Sequence, residues 1–158
     1  MPLSEGGRTD SASRVILASQ RTLFRTFQDA ETLGAWRTPD GMSAHFVDFD
    51  PRIGGGYRMI LRYAGADAHR FGKTRPGEDE VVVRFTDRLP DEKMVEAVSF
   101  VTDVPEFKGE MVMTTLFEPA HDGTKVTIRA EHVPHGISAA DHREGMLMAL
   151  RNLARLTE

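Results

Sequence analysis

From residue 42 to residue 133, apolar and polar side chains alternate with a period of two, broken at intervals by Gly, Pro and Asp. The alternating runs are "MSAHFVDF", "GYRMILRYA", "DEVVVRFTDRL", "EKMVEAVSFVT", "GEMVMTTLFEP" and "TKVTIRAEHV". Successive side chains of a strand point to opposite faces, so each run predicts a strand with one buried face. Short spacers between the runs predict antiparallel hairpins rather than parallel crossovers. Upstream, "SASRVILAS" has a β-branched centre and predicts a first strand from Ser11. The period then changes. Leu23, Phe24 and Phe27 recur at helical spacing behind Ser19, a residue suited to N-capping, and Asp29 is placed to cap a second short helix ending near Trp36. Residues 37–41, "RTPDG", read as a turn. At the other end, "ISAADHREGMLMALRNLARLTE" predicts a long helix with Met146, Ala149, Leu150, Leu153 and Leu156 along one stripe.

Strand, two short helices, six strands and a long helix make an α+β domain. About seven antiparallel strands need a cover over their apolar face, and only the terminal helix is long enough to supply it. The predicted fold is a curved sheet wrapped around that helix, one domain over residues 11–158. Residues 1–10, rich in Gly, Ser and charge, are expected to be disordered.

Alternation also assigns faces. Tyr57, Met59, Leu61 and Tyr63 fall together, as do Val81, Val83 and Phe85, then Met111, Met113, Thr115 and Phe117, then Val126, Ile128, Ala130 and His132. The run "KMVEAVSFV" resists a simple assignment. Its bulkier face, Met94, Val98 and Phe100, carries Glu96 with it, and a carboxylate on an apolar face is costly unless paired. Either Glu96 points to water and the smaller residues face in, or it enters the space between sheet and helix. Gly54, Gly55 and Gly56 raise a separate question. A phosphate-binding loop needs a helix N-terminus behind it, whereas a strand follows here, so the glycines are expected to turn the chain.

Composition narrows the chemistry. A chain of 158 residues suits one domain. With no cysteine, disulfides, thiolate catalysis and thiolate metal sites are excluded. A net charge of -4 and no basic stripe argue against nucleic acid as a partner. The opening "MPLSEGGRTD" lacks the apolar segment of a signal peptide, and no apolar run approaches the roughly 20 residues that span a bilayer. A soluble, cytoplasmic domain is expected.

Four stretches, in order, resemble one superfamily. "SQRTLFRTFQDAETLGAWRTPDG" resembles the helical opening of the SRPBCC proteins, the START-like or birch-pollen-allergen-like helix-grip fold. "FDPRIGGGYRM" resembles the signature of the branch named for its likeness to the activator of the heat-shock protein 90 ATPase. "LFEPAHDGTKVTIRAEHVP" and "REGMLMALRNLARL" resemble its last hairpin and closing helix. The resemblance implies a ligand cavity between the sheet and the C-terminal helix. Met146 and Val98 stand where the branch often has tryptophan, and Glu96 where an aromatic or apolar residue is common, which implies a wider and more polar cavity.

On these grounds the expected function is binding of a small hydrophobic or amphipathic molecule, with no cofactor. Trp36 at the cavity mouth, Tyr57, Met59 and Phe85 would form the wall with Val98, Met113 and Met146, while Glu96 and His132 would orient polar atoms. Two alternatives remain. Glu96 and His132 could act as a proton-transfer pair in a cyclase or isomerase. An interaction module, with a chaperone or a second copy as partner, would instead present an exposed apolar patch. His132, His135, Asp141 and His142 are close in sequence, but Pro134 and Gly136 make the segment a turn, and no metal is expected. Arg70, Lys73 and Arg75 read as a charged, solvated hairpin.

Overall fold

The computed structural model describes residues 7–65 and 72–158. Residues 1–6 of the expected disordered segment, and Arg70 of the charged hairpin, lie outside the described residues.

The chain opens with strand β1 (Arg8–Ile16), starting three residues before the predicted Ser11. Two short helices follow, α1 (Gln20–Arg25) and α2 (Ala30–Arg37). Each is set by its cap: Ser19 accepts from the Thr22 N–H and Asp29 from the Thr32 N–H, satisfying donors that the first turn leaves free. Then come β2 (Met42–Asp50), β3 (Gly56–Tyr63), β4 (Glu78–Leu89), β5 (Lys93–Phe100), β6 (Met111–Ala120) and β7 (Gly123–Val133). A single turn of 3-10 helix, Pro105–Phe107, precedes β6. Helix α3 (Ala139–Thr157) closes the chain, capped by Ser138.

All neighbouring strands are antiparallel, in the order β1-β7-β6-β5-β4-β3-β2. The helical pair carries the chain from one edge strand to the other. Three extra residues, at Asp48 in β2, between Phe85 and Asp87 in β4, and at His132 in β7, break the register. Such bulges sharpen strand bending. The bulge at Asp48 also returns Phe49 to the side of Phe46, so both rings reach Tyr57.

α3 lies against β1 and α2. Met146, Leu150, Leu153 and Ala154 are its buried residues. The expected Leu156 is 43% exposed. At 100° per residue it stands about 80° from Met146 on the side away from Leu150 and Ala154, outside the buried stripe. Polar ties fix the helix at both flanks. His142 Nδ1 meets Asp10 Oδ2 at 2.8 Å, and Asn152 donates to Asp40 Oδ1 at 3.3 Å. The glycine turn does what was expected. Gly54 has φ +88°, and a Cβ on Gly56 would stand 1.9 Å from the Val83 carbonyl oxygen.

Candidate functional site

Helix α2 ends at the site. Its last two residues diverge: Trp36 turns into the core, fully buried, and Arg37 reaches across to the concave face of the sheet. The Arg37 guanidinium carbon lies 4.5 Å from the Trp36 ring centroid and 5.3 Å from that of Phe27. Cation–aromatic contact of this kind suits a charge held away from water.

Glu96 receives it. The carboxylate is completely buried, on the face with Met94 and Val98, so the inward alternative of the sequence reading is the observed one. Arg37 Nη2 donates to Glu96 Oε1 at 2.6 Å, and Nη1 reaches Oε2 at 3.4 Å. Tyr57 Oη donates to Oε2 at 3.2 Å. Burial works against the Arg37 charge, but the adjacent Glu96 carboxylate outweighs it and raises the Arg37 pKa. Burial, and then the Glu96 charge, push the Tyr57 phenol well above its ordinary 10. The three side chains form a neutral unit: one cation, one anion, one un-ionised phenol.

Among the described residues, Arg37 Nε and Thr115 Oγ1 at this unit are buried without a hydrogen-bond partner, as are Arg129 Nε and Arg151 Nε elsewhere. Thr115 stands on β6 opposite Met94, with Met113 opposite Glu96, so Thr115 and Glu96 are diagonal neighbours on one face.

Burial decreases from this floor outward. Along β3, Tyr57 and Met59 are 5% and 4% exposed, whereas Leu61 and Tyr63 are half-buried. On β5, Glu96 and Val98 give way to half-buried Phe100. Tyr57 and Tyr63 are six residues apart, about 20 Å of strand. At the outer end Tyr63 Oη donates to Asp79 Oδ2 at 3.1 Å, and the Lys73 N–H donates to Oδ1 at 2.6 Å. Burial and the Asp79 charge raise the Tyr63 phenol to about 12. Lys73 Nζ sits 5.1 Å from the Phe100 ring centroid and 5.6 Å from that of Phe107. A cleft of about 410 Å³ opens here, bordered by Pro39, Met42, Tyr63, Lys73 and Asp79.

The sequence-named residues divide accordingly. Tyr57 and Glu96 bond, Met59 and Val98 line the same face, and Met113 stands half-buried opposite Glu96. Phe85 and Met146 are buried in the core. Trp36 is not at a mouth: its Nε1 donates to Thr26 Oγ1 at 3.1 Å, and Phe27 packs edge-on against it. His132 is also displaced. It adopts φ +58° at the β7 bulge, and the extra residue reverses the alternation so that Val133, not His132, is fully buried. Through Met113 and Ala130, His132 lies two strands and two residues from Glu96, about 11 Å. The Glu96–His132 pair does not form. Among the described residues no group of His, Asp and Glu could hold a metal ion, and His142 is turned to Asp10.

Arg37, Thr115, Lys73 and Asp79 were not named from the sequence as site residues. Arg37 was read as part of a turn. The available signal was indirect: an acid on an apolar strand face requires a cation.

The model for Activator of Hsp90 ATPase homolog 1-like proteins matches residues 17–158. The chain belongs to that family. Its helix-grip architecture recurs in solved structures. The crystal structure of protein CV1439 from Chromobacterium violaceum superposes with a TM-score of 0.81 at 24% identity, covering 96% of this chain and 98% of the other. A Rhodobacter sphaeroides protein gives 0.76 at 18%, over 98% and 95%. Mll3558 from Rhizobium loti gives 0.69 at 26%, over 94% and 96%. No curated protein matches the chain. This Hsp90-ATPase-activator-like domain has no helix, among the described residues, long and apolar enough to cross a membrane.

Proposed function

We propose that the protein binds a small hydrophobic or amphipathic molecule between the concave face of the sheet and α3. The observation that carries this reading is the gradient of burial, from Tyr57 and Glu96 at the floor to Leu61, Phe100 and Tyr63 at the rim. Half-buried Leu61, Phe100, Met113, Ile137 and Ala149 rest against the core and offer apolar surface to a guest. A mostly apolar site with a few placed polar groups is the usual composition of a small-molecule pocket. The methionines Met59, Met111, Met113 and Met146 support it, because an unbranched thioether refits around varied shapes.

Proton transfer has less support, since Glu96 is engaged by Arg37 and Tyr57 and lacks His132. A chaperone partner is suggested by the family's name alone. NMR titration of 15N-labelled protein with fatty acids, flavonoids and polyketide-like aromatics tests the proposal. Shifts are expected at Leu61, Phe100, Met113 and Ile137. Shifts confined to the convex face, or none, would overturn it.

A further inference from the structure

Resting on the binding proposal, a more specific statement concerns the chemistry of the guest. We propose that the floor of the site selects a neutral, oxygen-bearing apolar molecule, a ketone, quinone, lactone or ester, over both a carboxylate and a plain hydrocarbon.

Arg37 gives Nη1 and Nη2 to Glu96, and its Nε–H, buried, has no acceptor. Thr115 Oγ1 is likewise buried and unpartnered, on the strand next to Glu96. A guanidinium has donors and no lone pair, so Nε–H can be satisfied only by an acceptor. A threonine hydroxyl can also donate. Leaving such groups dry is costly, and few native buried groups are left so. A carbonyl oxygen supplies the lone pair that Nε–H lacks, and it accepts equally from a threonine hydroxyl.

Charge decides between acceptors. An arginine with no anionic partner would favour a carboxylate, which it binds bidentately. Here that fork is already taken by Glu96, 2.6 Å away, and the unit is neutral. A second carboxylate would lose its water, gain no net opposite charge, and stand beside the first. An ammonium would face the Arg37 cation. A hydrocarbon would leave both orphan groups unmet. A neutral carbonyl avoids all three penalties. A site built to hydrogen-bond an oxygen discriminates sharply against analogues lacking it.

Three matched probes test this: 2-acetylnaphthalene, 2-naphthoate and 2-ethylnaphthalene, titrated at pH 7 into labelled protein with the Arg37 Nε–Hε resonance followed. The ketone is expected to bind at least about tenfold more tightly than either analogue, equivalent to about 1.4 kcal/mol. Its binding should shift the Arg37 Hε signal. Thr115→Val, nearly isosteric, should reduce the ketone's advantage and leave 2-ethylnaphthalene unaffected. Equal binding of ketone and hydrocarbon would overturn the inference, as expected if an internal water serves the orphan groups, and would leave the binding proposal standing. Tightest binding by 2-naphthoate would also overturn it. Binding of none of the three would count against the cavity itself.

Discussion

Removing one member of the Arg37–Glu96 pair should be far worse than removing both. Glu96 is fully buried and the Arg37 side chain is 11% exposed, so neither charge can retreat to bulk water. Truncating one partner of a buried pair leaves the other uncompensated, at about 3–5 kcal/mol. Arg37→Met and Glu96→Leu should therefore each destabilise by that amount. Independent effects would sum to about 6–10 kcal/mol in the double variant. The double variant instead replaces the pair by apolar groups of similar volume, which is often neutral or stabilising. One debt remains, because Tyr57 Oη has lost its acceptor, and an unsatisfied buried hydroxyl costs about 1–3 kcal/mol. The double variant should fall short of the parent by that smaller amount, and adding Tyr57→Phe should recover most of it. Guanidinium unfolding followed by the single tryptophan measures all four proteins. Single variants within about 1 kcal/mol of the parent, or a double variant at the full sum, would refute the reasoning.

Both tyrosines of the chain should resist ionisation. With Tyr63 raised to about 12 and Tyr57 raised well above its ordinary 10, absorbance at 295 nm should show little phenolate at pH 10.5 in the native protein, and normal titration in urea. Because the folded pKa values are the raised ones, this contribution to stability is complete below about pH 10 and lost above it, and Tyr57→Phe should flatten the alkaline decline. Gly56→Ala should cost on the order of 3 kcal/mol or more, since its Cβ would meet the Val83 carbonyl, whereas Gly54→Ala, with open space around it, should cost only the about 1–2 kcal/mol of its left-handed backbone; equal losses in a thermal melt would contradict this. Trp36 should emit at short wavelength and be shielded from acrylamide, and ready quenching would place it at a mouth after all. Ser138→Ala should lower stability by about 1 kcal/mol through the lost cap to the Asp141 N–H, with no change in probe binding.

The sheet was legible because its information is local. Period two, broken by turn residues, locates strands without knowledge of their partners, and the caps Ser19 and Asp29 announce the starts of the two short helices. Local pattern fails where one residue is inserted. His132 continues the period-two count of Val126, Ile128 and Ala130, yet its left-handed backbone reverses the phase, which only the out-of-step Val133 hints at in the sequence. A non-glycine residue at positive φ is uncommon, so the default reading was the wrong one. Trp36 failed for a different reason: the end of a short helix can face a mouth or a core, and only the fold decides. Arg37 is the instructive omission. Its partner is 59 residues away, and the turn-like "RTPDG" around it hid the fact that it is the last residue of α2.

The polar floor is hard to explain as a device for stability. Around it the core is aliphatic and aromatic, with Phe27, Phe85, Met94, Phe117 and Ile128 fully or almost fully buried. Apolar residues at positions 37, 57 and 96 would fill the same volume without desolvating two charges. They would also leave no orphan donor at Arg37. A sequence that satisfies local rules elsewhere and departs from them in one place commonly does so where function requires it. The departure here is specific: the charges cancel one another, so the unit carries no net charge, while Arg37 Nε and Thr115 Oγ1 are buried without a partner. That combination suits recognition of a neutral oxygen.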